Sequence, residues 1–437
     1  MSEPRAQVFH VVTVVWGLPY VELFLDVTVP NQLTPGNLGA LPAGSRYRVF
    51  TSPEDADRLA ASPMLARVSE MMPVDLVVMP ELSDAAIDAL IRTTTGHCRA
   101  LSDAREAQAG LLFLNADFFL SEGALAAVLR RHAAGARAVV SVGVRLEKDT
   151  FVESLAVRGV HGLASRDLVA LALDHLHPFT VAHMIDSTRT ARNPIWVCWR
   201  VPGEGLLARS FFLQPLMVDP VLRHVLPREG FTIDAKYVIG ACPQLEAIHV
   251  VSDSDELCFF ELSHVDGAVT DIDSGSISVW RAARRLRGGD RLTRKYWTQP
   301  IRLHVGDITS AWNPVERQSA YFAEQVLRWY PIVRRLHLTD RRLRRILRRG
   351  REFGKRAVRA MKPLSPRRVK RSIVHGIKRI QKGAARGGRD VRRPLKSARR
   401  SALILGHSFG RPLLNYRKRV ARAGRRMLRW AQARMAH

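Results

Sequence analysis

Residues 111–134 read LLFLNADFFLSEGALAAVLRRHAA. The first four are apolar without a break, which suits a strand covered on both sides. Asn115-Ala116-Asp117 ends that strand. Ser121 then stands as the N-cap of a helical pattern, with Glu122 and Gly123 in its first turn. One strand and one helix in this order form half of a βαβ unit.

The same alternation runs outward on both sides. VFHVVTVV (8–15) reads as a buried strand stopped at Trp16-Gly17, and Arg46–Phe50 as a second, stopped by Thr51-Ser52-Pro53. DLVVM (75–79) is a third, closed by Pro80 and followed by helical SDAAIDALIRTT; AVVSVGV (138–144) is a fifth. Near-continuous apolar strands alternating with helices predict an α/β fold, a Rossmann-like and mostly parallel sheet with helices on both faces. Ligands of such sheets lie beyond the carboxyl ends of the strands. That rule points to Trp16-Gly17, Thr51-Ser52, Pro80 and Asn115–Asp117.

From Pro194 the texture changes. IWVCWRV, AIHVVSD and CFFELS are strand-like and interleaved with Gly, Pro and polar loops. We therefore expect two halves of one body: residues 1–150, and an α+β half over 151–330 that extends the first sheet and closes with a helix over Glu316–Tyr330.

Charge divides the chain more sharply. Residues 331–437 carry 36 Lys and Arg against three acids, a net of +33, which leaves 32 basic and 37 acidic residues in the body. The whole-chain charge of +28 therefore belongs to a basic tail, broken into short helices by Pro363, Pro366, Pro394 and Pro412. Large aliphatics at helical spacing in LRRILRRGREFGKRAVRAM favour an anionic membrane surface over nucleic acid as its partner.

The N-terminal segment lacks the pattern of a secretory signal, and no run approaches ~18 apolar residues. Four widely spaced cysteines without a CxxC pair read as free thiols of a reducing cytoplasm. There is no GxxxxGK[ST], GxSxG or HExxH, which weakens kinase, hydrolase and zinc-protease readings.

LLFLNADFFLSEGAL resembles the strand-end acidic motif of GT-A-type glycosyltransferases. The stretches from Val11 (VVTVVWGLPYVELFLDVTVPNQLTPGNLGALP), GFTIDAKYV (230–238) and VVSDSDELCFFELS (250–263) resemble an uncharacterised bacterial family of that superfamily. The resemblance spans Val8–Ser263. It implies a GT-A-like fold, a nucleotide-sugar donor, a glycan or glycolipid acceptor and a divalent cation, Mn or Mg. Asp117, with Asn115 in place of the usual first Asp, would hold metal and diphosphate. Trp16, Gly17, Tyr20, Thr51 and Ser52 would line the nucleotide, and a late histidine, His264 or His304, would join the metal.

Helix capping accounts for Ser52 equally well, and a strand end for Asp117. Asp253-Ser254-Asp255-Glu256 concentrates three carboxylates in four residues, either as a solvated loop or as the source of a general base for the acceptor hydroxyl. Asp234 is a further candidate base. In HLHPFTVAH, His175 and His177 diverge by about 200° if helical, which disfavours a shared metal. The sequence thus reads as a cytoplasmic glycosyltransferase of surface polysaccharide synthesis, peripheral on the inner membrane face. The alternative is a non-catalytic nucleic-acid- or membrane-binding protein on a degenerate nucleotide-sugar fold.

Overall fold

The structure, a computed structural model, describes residues 7–79, 85–219, 233, 235–266, 272–286 and 291–335. The chain divides into units 1–340 and 341–437, and every described residue belongs to the first. Pro80, Asp234 and the basic segment from residue 336 onward lie outside the described residues.

Fifteen strands run through the described residues. They are β1 (Phe9–Val14), β2 (Arg46–Thr51), β3 (Val74–Val78), β4 (Gly110–Phe113), β5 (Phe118–Leu120), β6 (Ala138–Ser141), β7 (Val144–Glu147) and β8 (Arg189–Ala191). There follow β9 (Trp196–Val201), β10 (Gly205–Ser210), β11 (Gln214–Val218), β12 (Ile248–Val250), β13 (Phe259–Ser263), β14 (Ile272–Ser274) and β15 (Ile301–His304).

The central sheet has the order β12-β6-β11-β4-β1-β2-β3. All its pairings are parallel except those of β11, which runs antiparallel between β4 and β6. The expected mostly parallel sheet with helices on both faces is present; from the second half of the body β12 extends its edge and β11 is inserted between β4 and β6.

Strand pleating sends alternate residues to opposite faces. On one face Val12, Leu111, Phe113, Val140 and Val218 pack with Ala100, Leu101 and Ala104 of helix Ala85–Glu106. On the other, Val11, Val49, Leu112, Val139 and Met217 pack with Leu59, Leu65 and Val68 of two short helices, and with Leu125 and Val128 of helix Ala124–Ala133. Both faces are buried, which is why the strands read as apolar runs rather than alternating ones.

Three details differ from the sequence reading. AVVSVGV is two strands, β6 and β7, which break around Gly143; a Cβ there would lie 2.5 Å from Glu261 Oε1. FFL after Asp117 is a strand, β5, in a small sheet of order β5-β13-β7. Helix Ala124–Ala133 is entered through Gly123 in the left-handed region (φ 74°), where glycine avoids the Cβ penalty. The Ser121 hydroxyl accepts from Cys258 N at 3.2 Å instead of capping that helix.

A second core supports the later strands. Trp199, Leu207, Trp297, Trp312 and Val326 pack together, and Phe211 stacks on Trp297 with centroids 4.1 Å apart and planes 3° off parallel. Helical residues 312–335 contribute to it, so the closing helix extends past the expected Glu316–Tyr330 at both ends. Strands β9, β10 and β15 form a sheet of order β15-β10-β9 over this core. At Gly205 (φ 150°) a Cβ would meet Leu303 O at 2.0 Å, so the β10–β15 pairing requires glycine there.

Candidate metal centre and the carboxyl edge of the sheet

Strand β12 points residues 253–256 beyond the carboxyl end of the central sheet, and β15 fixes them there. Arg302 N donates to Ser252 O (2.9 Å) and Ser254 N to Arg302 O (2.9 Å). The Ser254 hydroxyl accepts from His304 N at 3.0 Å. Asp255 N donates to Asp253 Oδ1 at 2.9 Å, which folds the loop so that both carboxylates face the same histidine.

Asp253, Asp255 and His304 form the group. One ligand atom from each lies within 4.8 Å of the others, and among the described residues this is the group of three that could hold a metal ion. His304 Nε2 is 2.8 Å from Asp253 Oδ1 and 3.9 Å from Asp255 Oδ1. Donors this close together could serve one cation.

The histidine is oriented as a ligand. Its ring is 3% exposed, and Nδ1 lies 2.6 Å from Gly306 O, a carbonyl that can only accept. Nδ1 therefore carries a proton, which leaves Nε2 facing the Asp253 carboxylate. A lone pair against a carboxylate is repulsive. Either a second proton or a cation must stand between them, and a backbone carbonyl on the far nitrogen is the usual support of a metal-bound imidazole.

Charge points the same way. Arg166, in the first turn of helix Ser165–Asp174, grips Asp255 through Nε (2.9 Å) and Nη2 (2.8 Å), and Asp307 through Nη1 (2.9 Å). Its hydrogen bonds hold the Asp255 carboxyl below the usual range. Asp253, Asp255 and Asp307 thus gather around one guanidinium and the His304 ring. Glu256 stands apart, taking Arg131 (2.7 Å) and His249 (2.8 Å). Burial disfavours its charge, but those hydrogen bonds outweigh burial and hold the carboxyl below its ordinary value.

A second constellation lies at the end of β4. Three strand spacings of about 4.8 Å separate β12 from β4, roughly 14 Å, so Asp117 is a distinct centre on the same edge. Asp117 keeps part of its surface accessible. Its carboxyl is nonetheless pushed up to about 7, first by burial and then by the neighbouring Glu261 charge. Glu261 is buried and receives Arg145 Nε (3.0 Å) and Gln214 Nε2 (2.6 Å), the donors expected around an ionised carboxylate. The Arg145 guanidinium also lies 4.4 Å from the Phe179 ring centroid. Asn115, half-buried, turns the chain by accepting Phe118 N on its carbonyl.

At β1 and β2 the edge is partly filled by the protein itself. Gly17 (φ 79°) donates its N–H to Asp55 Oδ2 at 2.7 Å, and the Ser52 hydroxyl donates to the same oxygen at 2.9 Å. Ser52 occupies the N-cap position of helix Pro53–Ala60 without a side-chain bond to its backbone. Thr51 is buried and its Oγ1 has no partner. Tyr20 is 51% exposed and Trp16 half-buried on the turn after β1.

The remaining histidines have local roles. His264 is exposed, 3.6 Å from Asp149, and its carbonyl takes His177 Nε2 at 2.8 Å. His183 Nδ1 donates to Phe179 O at 2.7 Å, and burial pushes its ring down to about 4. His175 lies within hydrogen-bond distance of Ser154 and Thr150.

Sequence reasoning missed Glu261, Arg145, Gln214, Arg166 and Asp55. Glu261 carried a signal, a lone acid inside the apolar run CFFELS; Asp55 carried another, three residues after Ser52 in a capping-box spacing. Arg166 and Gln214 gave none.

No family model matches the chain, and no curated protein is similar to it. Among solved structures, mouse xyloside xylosyltransferase 1 in its apo form is similar at 10% identity and a TM-score of 0.19. The likeness covers 36% of this chain and 63% of that one. A likeness at that level says nothing about chemistry, which has to be read from the residues themselves.

Proposed function

We propose that the protein is a metal-dependent glycosyltransferase that moves a sugar from a nucleotide-diphosphate sugar to a hydroxyl of a glycan or glycolipid. The observation that carries this reading is the Asp253–Asp255–His304 group at the carboxyl edge of a mostly parallel sheet. Oxygen, oxygen and imidazole donors suit a Mn-like cation, with Mg the harder alternative. Bound there, the cation would neutralise charge on a leaving diphosphate.

Asp253, Asp255 and His304 are the residues we assign to the metal. Trp16, Gly17, Tyr20, Thr51 and Ser52 lie at the β1–β2 end of the same edge, four to five strand spacings of about 4.8 Å from β12, too far to hold a nucleoside whose diphosphate meets that metal. Asp117 beside Glu261, with Asn115, stands between these two regions. In the transfer, the acceptor oxygen attacks the anomeric carbon, the sugar–phosphate bond breaks with its electron pair going to the diphosphate, and a carboxylate takes the acceptor's proton. Residues 331–437, with their charge of +33, would hold the body at an anionic membrane surface on the cytoplasmic side, as synthesis of a surface polysaccharide requires.

Calorimetric titration of UDP-, GDP- and CMP-sugars into the full chain, with and without Mn²⁺, tests the reading. Metal-dependent binding of one donor, lost in Asp255→Asn and His304→Ala, is expected. Binding of no donor in the presence of metal sinks the transferase and favours a non-catalytic role for this fold. Flotation with vesicles containing phosphatidylglycerol tests the tail, which fails its assignment if a 1–340 chain floats equally well.

A further inference from the structure

The metal centre contains a built-in cation. Arg166 uses Nε and Nη2 on the two oxygens of Asp255, and Nη1 on Asp307. Three of its five N–H donors are engaged, and the side chain remains 42% exposed. A carboxylate needed by the metal is thus shared with a permanent positive charge.

Resting on the metal-and-diphosphate reading above, we propose that Arg166 couples metal loading to anion binding at the Asp253–Asp255–His304 centre. Without an anion, the guanidinium and a divalent ion repel across a shared carboxylate, and the empty site holds metal weakly. Their separation is within the ~8–10 Å screening length of physiological salt, so the repulsion survives solvent. A diphosphate reverses the sign. It accepts from the two spare N–H donors and bridges guanidinium and metal, so each charge now improves the hold of the other. Arginine suits this because its planar fork can grip Asp255 and still offer donors sideways to phosphate oxygens. Thermodynamic linkage makes the effect reciprocal: metal and diphosphate tighten one another by the same factor.

Asp307 fits the same device. It is 89% exposed and takes only Nη1, which fixes the guanidinium plane without enclosing it. A plain tether between helix Ser165–Asp174 and the 253–256 loop would show the same ion pairs but no coupling, which makes the two separable.

The test is a linkage cycle by calorimetry on the full chain. Mn²⁺ alone, UDP alone, and each in the presence of the other are titrated into the parent, Arg166→Ala and Arg166→Lys. In the parent, each ligand should tighten the other by at least about 5-fold. In Arg166→Ala, Mn²⁺ alone should bind as tightly as in the parent or tighter, with the mutual factor reduced at least about 3-fold from the parent's, the direct attraction of metal and diphosphate remaining. Arg166→Lys, which keeps the charge, should retain part of the coupling. Unchanged coupling in Arg166→Ala overturns the proposal while leaving the metal site standing. Weaker binding of Mn²⁺ alone in Arg166→Ala, with coupling intact in Arg166→Lys, overturns it in favour of a tether that only positions Asp255. A parent chain that binds no Mn²⁺ overturns the metal reading itself.

Discussion

His304 Nε2 lies 2.8 Å from Asp253 Oδ1 while its other nitrogen is held by the carbonyl of Gly306. The ring cannot turn away without breaking that bond, so the carboxylate and the imidazole are fixed face to face. Mn²⁺ should raise the melting temperature of the full chain, since a ligand at 100 times its Kd stabilises by about 2.7 kcal/mol. His304→Ala should abolish that shift. An undiminished shift in His304→Ala, measured by scanning calorimetry, would place the metal elsewhere.

Asp117 gives a pH dependence with a definite sign. Its carboxyl rises from an ordinary 3.8 to about 7 in the folded chain, so the folded state binds a proton that the unfolded chain releases. Ionisation therefore costs nothing below about pH 4, destabilises increasingly from there to about pH 7, and reaches a plateau above. Asp117→Asn should match the parent at pH 4 and exceed it at pH 8 by about 2 kcal/mol, allowing for partial exposure. Denaturant melts at the two pH values check this; equal differences at both would contradict it.

Gly143→Ala should disturb the carboxylate pair without touching either member. The new Cβ would stand 2.5 Å from Glu261 Oε1 and 3.2 Å from Gln214 Cγ. Glu261 would have to leave Gln214 or Arg145, at a cost of about 1–3 kcal/mol for a buried acceptor stripped of a donor. The loss on Gly143→Ala should shrink in a Glu261→Ala background, which removes the atoms the new Cβ would meet, as measured by urea melts of the two single variants and the double variant.

The four cysteines form no disulfide with one another, and burial pushes Cys198 and Cys258 up to about 12. Cys242 is equally enclosed, while Cys98 is half-buried and raised by burial. Thiol labelling of the native chain at pH 7.5 should therefore begin at Cys98 and reach the other three only in denaturant. Rapid labelling of Cys258 would contradict the packing of the 253–258 loop.

Much of the sheet was legible because its strands are buried on both faces, which leaves apolar runs that need no partner to be recognised. The breaks were harder. AVVSVGV carries no charge or proline at its hinge, and only the distant Glu261 explains why Gly143 interrupts it. The same limit applied to the site. Asp253 and Asp255 stood out as carboxylates crowded in one loop, and His304 as a late histidine; nothing in their spacing revealed that β15 would bring the three together. That requires the β15 pairing with β10 and the bridge between Asp253 and Arg302, contacts between segments about a hundred and about fifty residues apart. Side chains such as Arg166 and Gln214 are ordinary residues in sequence and acquire meaning only from what folding places beside them.

The Asp253–Arg302 bridge also bears on timing. Because β15 both positions the loop and supplies the histidine, no nascent chain shorter than about 304 residues can assemble the centre. A growing chain that has not yet reached His304 would hold the strands of the central sheet without a complete centre. Metal uptake by such a chain would report the arrival of β15.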